Sequence, residues 1–475
     1  MGNLIFTFSG IRGIAGKDLS EGIVEKIAFL FGESFEREER KAIIGRDTRS
    51  SGSYLEKAVI SGLSSANFEI YSTGICPTPV LIFMKNKLNL KAGIMITGSH
   101  NSPDWNGLKL IKDENYLDGS ELEDLRKKLY QKQIKFVESR TVEKKVKIIN
   151  PIPDYLQSLY SHLSVKKIKK KNKLKVVIDT GAGAGKVVTP KMLQDLGCQV
   201  KSINDDLYVN EVFPRGIEPV AKNLHDLIME VWQGKYDVGF AHDSDADRLA
   251  IIGEDGTCYP EDVGLALIME YTLQNANHKF KNIFFVTNLA SSLIFDLIGE
   301  KYGAKVIRTP IGELYLINEM RHLTKTASNS TLVFGGEGSC GGVIYPLFNN
   351  TRDGIFAVAK IVEILTLTGE KVSTLVSKLP KYYTYREIIK LDKLQAHSII
   401  EKTRVELENE GENVIQINQD LKFGFEKEYF VLIHPSNTEP VIRIISEAKT
   451  QSLARVYCQT TAELVRLVIS NIHFQ

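Results

Sequence analysis

The sequence predicts an α/β fold divided into several domains. Short runs rich in β-branched residues alternate with longer amphipathic stretches whose apolar residues recur at helical spacing, a pattern typical of layered α/β structure. The chain has 475 residues, which at roughly 100–200 residues per domain corresponds to about three or four domains. Hydrophobic residues make up 43% of the chain and charged residues 25%, as in ordinary globular proteins.

The strand-like runs end in polar or glycine-rich turns. The clearest examples are Ile43-Ile44 before Gly45-Arg46-Asp47, Ile94-Met95-Ile96 before Thr97, Val176-Val177-Ile178 before Asp179, and Val238-Gly239-Phe240 before His242. Amphipathic stretches such as 20–35 and 261–273 lie between such runs and predict helices. Because ligands in α/β folds bind where strands end at their carboxyl termini, these turns are the first candidates for a functional site.

Changes of pattern divide the chain into four predicted domains: 1–150, 151–256, 257–378 and 379–475. The boundaries fall near Pro151-Ile152-Pro153, near Gly256 and near Leu379-Pro380. The last segment has predicted strands at 429–433 and 441–446 and a predicted helix near 460–472, which is typical of a small α+β domain. No repeat of fixed period is visible in the sequence.

Charge and cysteine usage exclude several classes of function. The formal net charge of +2 leaves no excess to neutralise a nucleic-acid backbone, and the one basic run, 166–173, is interpreted as a solvated linker. The five cysteines are widely spaced and predict reduced thiols in a cytoplasmic protein. The sequence has neither a secretion signal nor an apolar run near the ~18 residues that cross a bilayer, so no membrane partner is expected.

The loop at 97–109 places a hydroxyl, an imidazole and an amine in one turn after a strand, on Ser99, His100 and Lys109. A tight turn built on Gly98 and Pro103 explains the same residues, so the functional interpretation needs support from elsewhere in the chain.

That support begins with the carboxylates of Asp243, Asp245 and Asp247, whose alternate spacing on an extended loop lets them point to one side. Three hard oxygens in one stretch suit Mg²⁺. An EF-hand is excluded, because it requires Gly where Arg248 stands and a helix where 236–240 predicts a strand. An acidic surface loop remains the alternative.

Two segments are candidates for phosphate recognition. The glycine-rich stretch 181–186 lacks the spacing of a P-loop or of a dinucleotide fingerprint, and predicts a tight strand-to-helix turn. The segment 434–440 offers hydroxyls, an amide and backbone donors between two strands, with His434 and Arg443 adding positive charge. In the glycine-rich loop 335–342, Glu337 and Ser339 could bind sugar hydroxyls. We interpret Arg46, Asp47 and Arg49 as an ion-paired structural network.

In order and spacing, across nearly the whole chain, these loops resemble those of the α-D-phosphohexomutases, the family of phosphoglucomutase, phosphomannomutase and phosphoglucosamine mutase. The resemblance implies four domains around a central cleft: three related α/β domains with mixed sheets and a C-terminal α+β domain. It implies interconversion of hexose or hexosamine 1-phosphate and 6-phosphate through a phosphoserine enzyme and a bisphosphorylated sugar. Mg²⁺ is the implied cofactor and a sugar 1,6-bisphosphate the implied activator.

The resemblance also assigns roles to residues. Ser99 matches the serine that carries the phosphate, and the matching Mg²⁺ ligands are Ser99, Asp243, Asp245 and Asp247. Residues at positions around the phosphoserine are Arg12, His100, Lys109 and Arg248, with His100 and Lys109 the candidates for proton transfer. The matching substrate-binding residues are Glu337, Ser339, His434, Ser436, Asn437, Thr438 and Arg443. The implied partners are sugar phosphates, and the implied assembly is a monomer or homodimer.

Several departures from the family pattern concern the substrate. His434 replaces the usual arginine, so phosphate binding is expected to be weaker or to depend on pH, because an ordinary histidine titrates near ~6.5. Gly341 stands where many members have histidine. The preferred hexose phosphate, glucosamine, mannose or glucose, is therefore open. The alternatives from other classes are a sugar-phosphate-binding protein without turnover and a sugar phosphatase.

Overall fold

The computed structural model describes residues 4–131, 146–276, 279–326, 328, 330–338, 341–391, 396–436 and 441–473. Within these ranges the strands form four successive β-sheets, three mixed and the last antiparallel. The predicted fold class, three α/β units and a C-terminal α+β unit, is thereby confirmed. Each sheet lies inside one of the four predicted domains, whose boundaries stay predictions.

The first sheet has the order β1-β2-β6-β5-β3-β4-β8, with β7 pairing to β6. Its strands are β1 (Ile5–Thr7), β2 (Gly10–Ile14), β3 (Lys41–Arg46), β4 (Glu69–Ile75), β5 (Ala92–Ile96), β6 (Trp105–Lys112), β7 (Asn115–Tyr116) and β8 (Val146–Ile148). The helices of this unit are α1 (Glu21–Gly32), α2 (Gly52–Ser65), α3 (Thr78–Lys87) and α4 (Gly119–Leu129). Helix α1 confirms the helix predicted at 20–35.

The second and third sheets have four strands each, in the orders β10-β9-β11-β12 and β14-β13-β15-β16. The second unit comprises α5 (Ile152–Ser161), α6 (Val165–Lys171), β9 (Lys175–Asp179), α7 (Thr189–Asp195), β10 (Gln199–Ile203), α8 (His225–Gln233), β11 (Val238–Ala241) and β12 (Ala250–Gly253). The third comprises α9 (Glu261–Ala276), β13 (Asn282–Asn288), α10 (Ile294–Tyr302), β14 (Lys305–Thr309), α11 (Glu313–Thr326), β15 (Thr331–Glu337), β16 (Gly342–Ile344), α12 (Gly354–Thr368) and α13 (Val372–Ser377).

These three units repeat one strand arrangement. In the second unit, β9 pairs in parallel with both β10 and β11, and β11 pairs antiparallel with β12. In the third unit, β13 pairs in parallel with β14 and β15, and β15 pairs antiparallel with β16. The corresponding strands of the first sheet are β3, β4, β5 and β6. The units are therefore related in topology, although the sequence carries no repeat of fixed period.

The fourth unit is an antiparallel sheet of order β17-β21-β20-β19-β18, with α14 and α15 packed on one face. Its elements are β17 (Tyr383–Lys390), α14 (Ala396–Asn409), β18 (Ile415–Ile417), β19 (Asp420–Phe425), β20 (Tyr429–Pro435), β21 (Val441–Ala448) and α15 (Gln451–His473). The strands predicted at 429–433 and 441–446 are confirmed, and the helix predicted at 460–472 begins earlier, at Gln451.

The first three units share a hydrophobic core, whereas the fourth unit has its own. One apolar cluster runs continuously from Ile43 in the first unit to Leu379 after the third. The fourth unit has a core of its own and touches the third through a small cluster of Leu289 and Leu293 with Phe430 and Leu432. Among the described residues, no helix has the length and apolarity needed to span a bilayer.

One sequence interpretation is wrong. The lysine run at 166–173 is not a linker, because most of it forms the short helix α6. Ile168 within the run is fully buried and belongs to the large apolar cluster. One apolar residue among the lysines thus anchors the helix, while the long charged side chains extend to solvent.

Candidate active site

The candidate residues lie in loops that occupy one topological position. Ser99 follows β5, the Asp243–Asp247 loop follows β11, and Glu337 ends β15, which is the third strand of the repeated arrangement in each unit. In all three units the loop leads into the antiparallel fourth strand. The repeated topology therefore explains why these chemically distinct loops recur at equivalent places.

Ser99 is held in an uncommon backbone conformation. Its φ is +48°, in the left-handed region that costs an ordinary L-residue roughly 1–2 kcal/mol. Its backbone N–H donates to Thr97 Oγ1 at 2.8 Å, and its carbonyl oxygen accepts from Ser244 Oγ at 2.7 Å. Neighbouring side chains thus fix the turn that presents the Ser99 hydroxyl.

Arg49 donates hydrogen bonds to several backbone carbonyls of the same loop. Its guanidinium, 1% exposed, donates to the carbonyl oxygens of Ser99 and Asn101 at 2.8 Å, of Ser102 at 2.7 Å and of Trp105 at 3.0 Å. It also pairs with Asp47 at 3.2 Å. A Cβ at Gly98 would lie 2.7 Å from the guanidinium carbon, so glycine is required there. Asp47 and Arg49 therefore pair as predicted, whereas Arg46 forms its ion pair with Glu56, at 3.0 Å.

The Ser99 hydroxyl faces a carboxylate and an imidazole. Ser99 Oγ donates to Asp243 Oδ2 at 2.9 Å and lies 3.4 Å from Nδ1 of His100. Because Arg248 Nη2 can only donate, its 2.9 Å contact makes His100 Nδ1 an acceptor. Burial, followed by the charges of Arg248 and Arg12, lowers the pKa of His100 to about 2. The imidazole is therefore neutral at physiological pH, with its proton on Nε2.

Asp243, Asp245 and Asp247 form a buried group suited to a cation. Their side chains are at most 1% exposed, and one oxygen from each lies within 4.8 Å of the others. Oδ1 of Asp245 and Oδ1 of Asp247 are buried without a hydrogen-bond partner. Burial and the two neighbouring carboxylates raise the pKa of Asp243 well above its usual range. A divalent cation would satisfy these oxygens, so the residues present fit Mg²⁺.

Lys109 reaches this group from β6. Its Nζ lies 2.6 Å from Asp245 Oδ2 and 2.9 Å from Asp247 Oδ2. Although burial acts in the opposite direction, the two carboxylates raise the pKa of Lys109 above its usual range. Lys109 is therefore charged, and it occupies one oxygen of each carboxylate while the other oxygens stay unpartnered.

Two arginines contact the neighbours of Ser99. Arg12 on β2 donates to Asn101 Oδ1 at 2.5 Å, and burial, reinforced by nearby Arg248, lowers the pKa of Arg12 to about 10. Arg248 pairs with Glu218 at 3.2 Å and lies 3.9 Å from Asp243. Both guanidiniums remain charged at physiological pH beside the serine.

Glu337 is connected to the three-carboxylate group through Arg352. The Arg352 guanidinium pairs with Glu337, lies 2.8 Å from Asp247 Oδ2 and lies 3.4 Å from Glu313. The other Glu337 oxygen accepts from Asn288 Nδ2 at 3.0 Å. Ser339, predicted beside Glu337, lies outside the described residues.

The predicted phosphate-binding residues form a second group on the fourth sheet. His434 on β20 stands opposite Arg443 on β21, and His434 Nδ1 lies 2.6 Å from Asp420 Oδ1. The Ser436 N–H donates to the carbonyl of Val441 at 2.9 Å. Asn437 and Thr438 lie outside the described residues.

Sequence reasoning missed four functional neighbours: Arg352, Glu313, Glu218 and Asp420. Each acts through a side chain far away along the chain, so no local motif marks it. Nothing in the sequence around Arg352 indicated contact with both Asp247 and Glu337.

Comparison with known proteins agrees with this arrangement. Family models of phosphoglucomutase/phosphomannomutase α/β/α domains I, II and III match residues 3–134, 153–256 and 260–383. The chain is 36% identical over 473 residues to a phosphoglucomutase/phosphomannomutase of Thermococcus kodakarensis, covering 98% of this chain and 99% of the relative. It is 33% identical to a probable phosphoglucosamine mutase of Pyrococcus furiosus, covering 98% of each.

A crystal structure of a Burkholderia thailandensis protein of the same family superposes with a TM-score of 0.80 at 23% identity, covering 98% of this chain and 97% of that one. That likeness concerns the fold, and the family models and sequence relatives establish the membership. The chain belongs to the phosphoglucomutase/phosphomannomutase family within the α-D-phosphohexomutase superfamily.

Proposed function

We propose that this phosphohexomutase, an intramolecular phosphotransferase, interconverts hexose or hexosamine 1-phosphate and 6-phosphate through phospho-Ser99 and a bisphosphorylated sugar. The carrying observation is the Ser99 hydroxyl, held 2.9 Å from Asp243 Oδ2, with Arg248 3.9 Å from the same carboxylate and Arg12 on Asn101 of the Ser99 loop. Phosphoryl transfer needs little besides positioning and charge stabilisation, and this environment supplies both. A cytoplasmic monomer or homodimer stays a prediction.

The charged groups around Ser99 have separate roles in this proposal. Asp243, Asp245 and Asp247, together with Ser99, would hold Mg²⁺, which supplies positive charge beside the phosphoryl group. Arg12 and Arg248 add further positive charge on the phosphoryl oxygens. Lys109 keeps Asp245 and Asp247 oriented, since its ammonium is committed to both carboxylates.

A sugar hydroxyl attacks the phosphorus of phospho-Ser99, and the bond between phosphorus and Ser99 Oγ breaks. The hydroxyl proton must leave as the new bond forms. We assign its acceptor to Nδ1 of His100, which becomes available when Arg248 Nη2, 2.9 Å from it, turns to the phosphoryl oxygens, whose negative charge also favours the protonated ring. The bisphosphate then turns end for end and returns its other phosphate to Ser99. A sugar 1,6-bisphosphate can therefore phosphorylate an empty Ser99 and act as activator.

The substrate contacts follow from the remaining groups. Glu337 and Ser339 are assigned to the sugar hydroxyls, and the phosphate that is not transferred is assigned to His434, Ser436, Asn437, Thr438 and Arg443. The small apolar contact between the third and fourth units is consistent with release and recapture of that phosphate during turning.

Intact mass spectrometry tests the proposal. The protein incubated with a sugar bisphosphate should gain one phosphate, about 80 Da, and Ser99→Ala should not. Turnover should be lost in Ser99→Ala and retained in Ser102→Ala, a control in the same loop. Equal turnover by Ser99→Ala contradicts the proposal, as does phosphate release without mutase product. Side-by-side assays with glucosamine, mannose and glucose 1-phosphate identify the preferred substrate.

A further inference from the structure

A row of three polar side chains crosses the face of the fourth sheet that is not covered by α14 and α15. His434 on β20 stands opposite Arg443 on β21, and Asp420 on β19 lies beside it. Side chains alternate along a strand, so His434 shares its face with Leu432 and Phe430. Those two residues pack on Leu289 and Leu293 of the third unit, on the face opposite α14 and α15. The row therefore faces the rest of the molecule.

Within this row, His434 makes a short contact with Asp420. Nδ1 of His434 lies 2.6 Å from Oδ1 of Asp420, and their side chains are 15% and 9% exposed. A carboxylate accepts only, so the imidazole donates from Nδ1 and its Nε2 is left for another partner. A phosphate oxygen is bound by Nε2 only when that nitrogen carries a proton as well, which makes the ring cationic.

We infer that Asp420 is a positioning residue for the substrate phosphate: it fixes the orientation of His434 and stabilises the cationic ring that grips the phosphate with Arg443. This inference rests on the proposed function and on the assignment of His434 and Arg443 to the phosphate that is not transferred. An arginine at this position would be charged at every physiological pH. A histidine paired with a carboxylate is charged only at lower pH, so the phosphate affinity depends on pH.

The charged neighbours of His434 set the direction of this dependence. Asp420 and a bound phosphate favour the cationic ring, and Arg443 on the opposite strand disfavours it. Lys422, the next residue of β19 on the same face, donates to the Leu289 carbonyl at 2.9 Å, and burial lowers its pKa well below the usual range. Ile388, beyond Arg443 on β17, carries no charge. KM should therefore be low at acidic pH and rise as the ring loses its charge.

Steady-state kinetics from about pH 5.5 to 8.5, across the range in which histidine titrates, test the inference. In Asp420→Asn, KM should be roughly tenfold higher than in the wild type at neutral pH, because His434 loses the partner that fixes its ring. The value of kcat should change less than about twofold, because transfer occurs at Ser99. Asp420→Glu should restore much of the lost affinity.

Two further variants isolate the histidine. His434→Arg should lower KM above neutral pH and flatten its pH dependence, since the guanidinium stays charged. In a His434→Gln background, adding Asp420→Asn should leave the pH profile of KM unchanged. Calorimetric binding of glucose 6-phosphate to Ser99→Ala, with and without Asp420→Asn, should show the same loss of affinity without turnover.

A wild-type KM profile in Asp420→Asn overturns the inference, as does an Asp420→Asn effect that persists in the His434→Gln background. Either result leaves the proposed function intact, because phosphorylation of Ser99 is measured separately by mass. Turnover by Ser99→Ala would instead overturn the proposed function.

Discussion

The Ser99 hydroxyl donates a 2.9 Å hydrogen bond to Asp243 Oδ2, although the two residues are 144 positions apart. Each follows the third strand of the repeated four-strand arrangement, and the two loops meet where the first and second units face each other. A phosphate on Ser99 would place further negative charge beside three buried carboxylates. Lys109 already partners two of these carboxylates, so a phosphorylated Ser99 would need further positive charge, which a bound cation would supply.

Asp243→Asn should therefore raise the stability of the cation-free protein and lower enzymatic activity. The change removes a buried carboxyl group whose charged form is disfavoured by burial and by Asp245 and Asp247, and it keeps an acceptor for Ser99 Oγ, so we expect a higher melting temperature in EDTA than for the wild type. We expect turnover to fall by roughly 100-fold or more, because a cation ligand is lost. Thermal unfolding and sugar-phosphate assays measure the two effects.

Mg²⁺ at a hundredfold excess over its Kd should stabilise the wild type by about 2.7 kcal/mol, and Asp243→Asn by less. Asp104→Asn, an exposed change near the same loop, is the control and should leave both quantities unchanged. An Asp243→Asn protein that melts lower in EDTA and keeps its activity would contradict this account.

Arg49→Met should destabilise the protein by about 3–5 kcal/mol, because it leaves Asp47 buried without its charged partner. Phosphorylation of Ser99 should also fall, since the backbone carbonyls of its loop lose their donor. Urea unfolding and intact mass provide the measurements. Arg46→Lys is the matched control: its partner Glu56 is partly exposed, and we expect a change of about 0–1 kcal/mol. Similar losses in both variants would show that the loop contacts are unimportant.

Arg352→Lys should raise KM and lower kcat, each about tenfold or more. A lysine ammonium cannot reproduce the planar fork that contacts Glu337 and Asp247 together, so both the sugar contact and the carboxylate group are disturbed. Kinetics with glucose 1-phosphate measure both constants. Arg321→Lys, whose partner Glu114 is exposed, serves as control. A change in KM alone would mean that Arg352 serves only the sugar.

Much of the site could be predicted because its chemistry is concentrated in short loops. Asp243, Asp245 and Asp247 occupy one stretch of five residues, and Ser99 and His100 are adjacent. Side chains whose partners lie far away in the sequence could not be recognised from a local motif. Arg49 contacts carbonyls about fifty positions away, and Arg352 contacts Asp247 across 105 positions. The repeated topology was also invisible, because pairing between strands constrains hydrogen bonding more than residue identity.

Gly341→His, the change toward the commoner family residue, should destabilise this protein instead of altering its substrate. Gly341 has φ +65°, and a Cβ there would collide with the Leu249 carbonyl oxygen. We expect a loss of about 2 kcal/mol or more in urea unfolding. Gly22→Ala in helix α1, where a Cβ meets nothing within 4 Å, is the control and should be neutral or stabilising. A stable Gly341→His protein with a new preference would refute this expectation.

The free energy of unfolding should fall as pH rises toward neutrality, because the folded protein resists the ionisation of Asp262. Burial and the nearby charge of Glu447 raise the pKa of Asp262 to about 7, while its backbone contact with Ser292 N–H at 3.1 Å only partly opposes them. Between about pH 4 and 7 the unfolded chain has lost this proton and the folded chain still holds it, so raising the pH favours unfolding.

Asp262→Asn keeps an acceptor for the Ser292 N–H and removes the ionisation. Its free energy of unfolding should match that of the wild type near pH 4 and exceed it by a growing margin, reaching a few kcal/mol, up to about pH 7. Urea unfolding at intervals across this range measures the difference, and Asp255→Asn at an exposed turn serves as control. Parallel stability curves for Asp262→Asn and the wild type would mean that Asp262 is already ionised in the folded protein at acidic pH. The nearby positive charges of Arg386 and Arg308 would then outweigh the charge of Glu447.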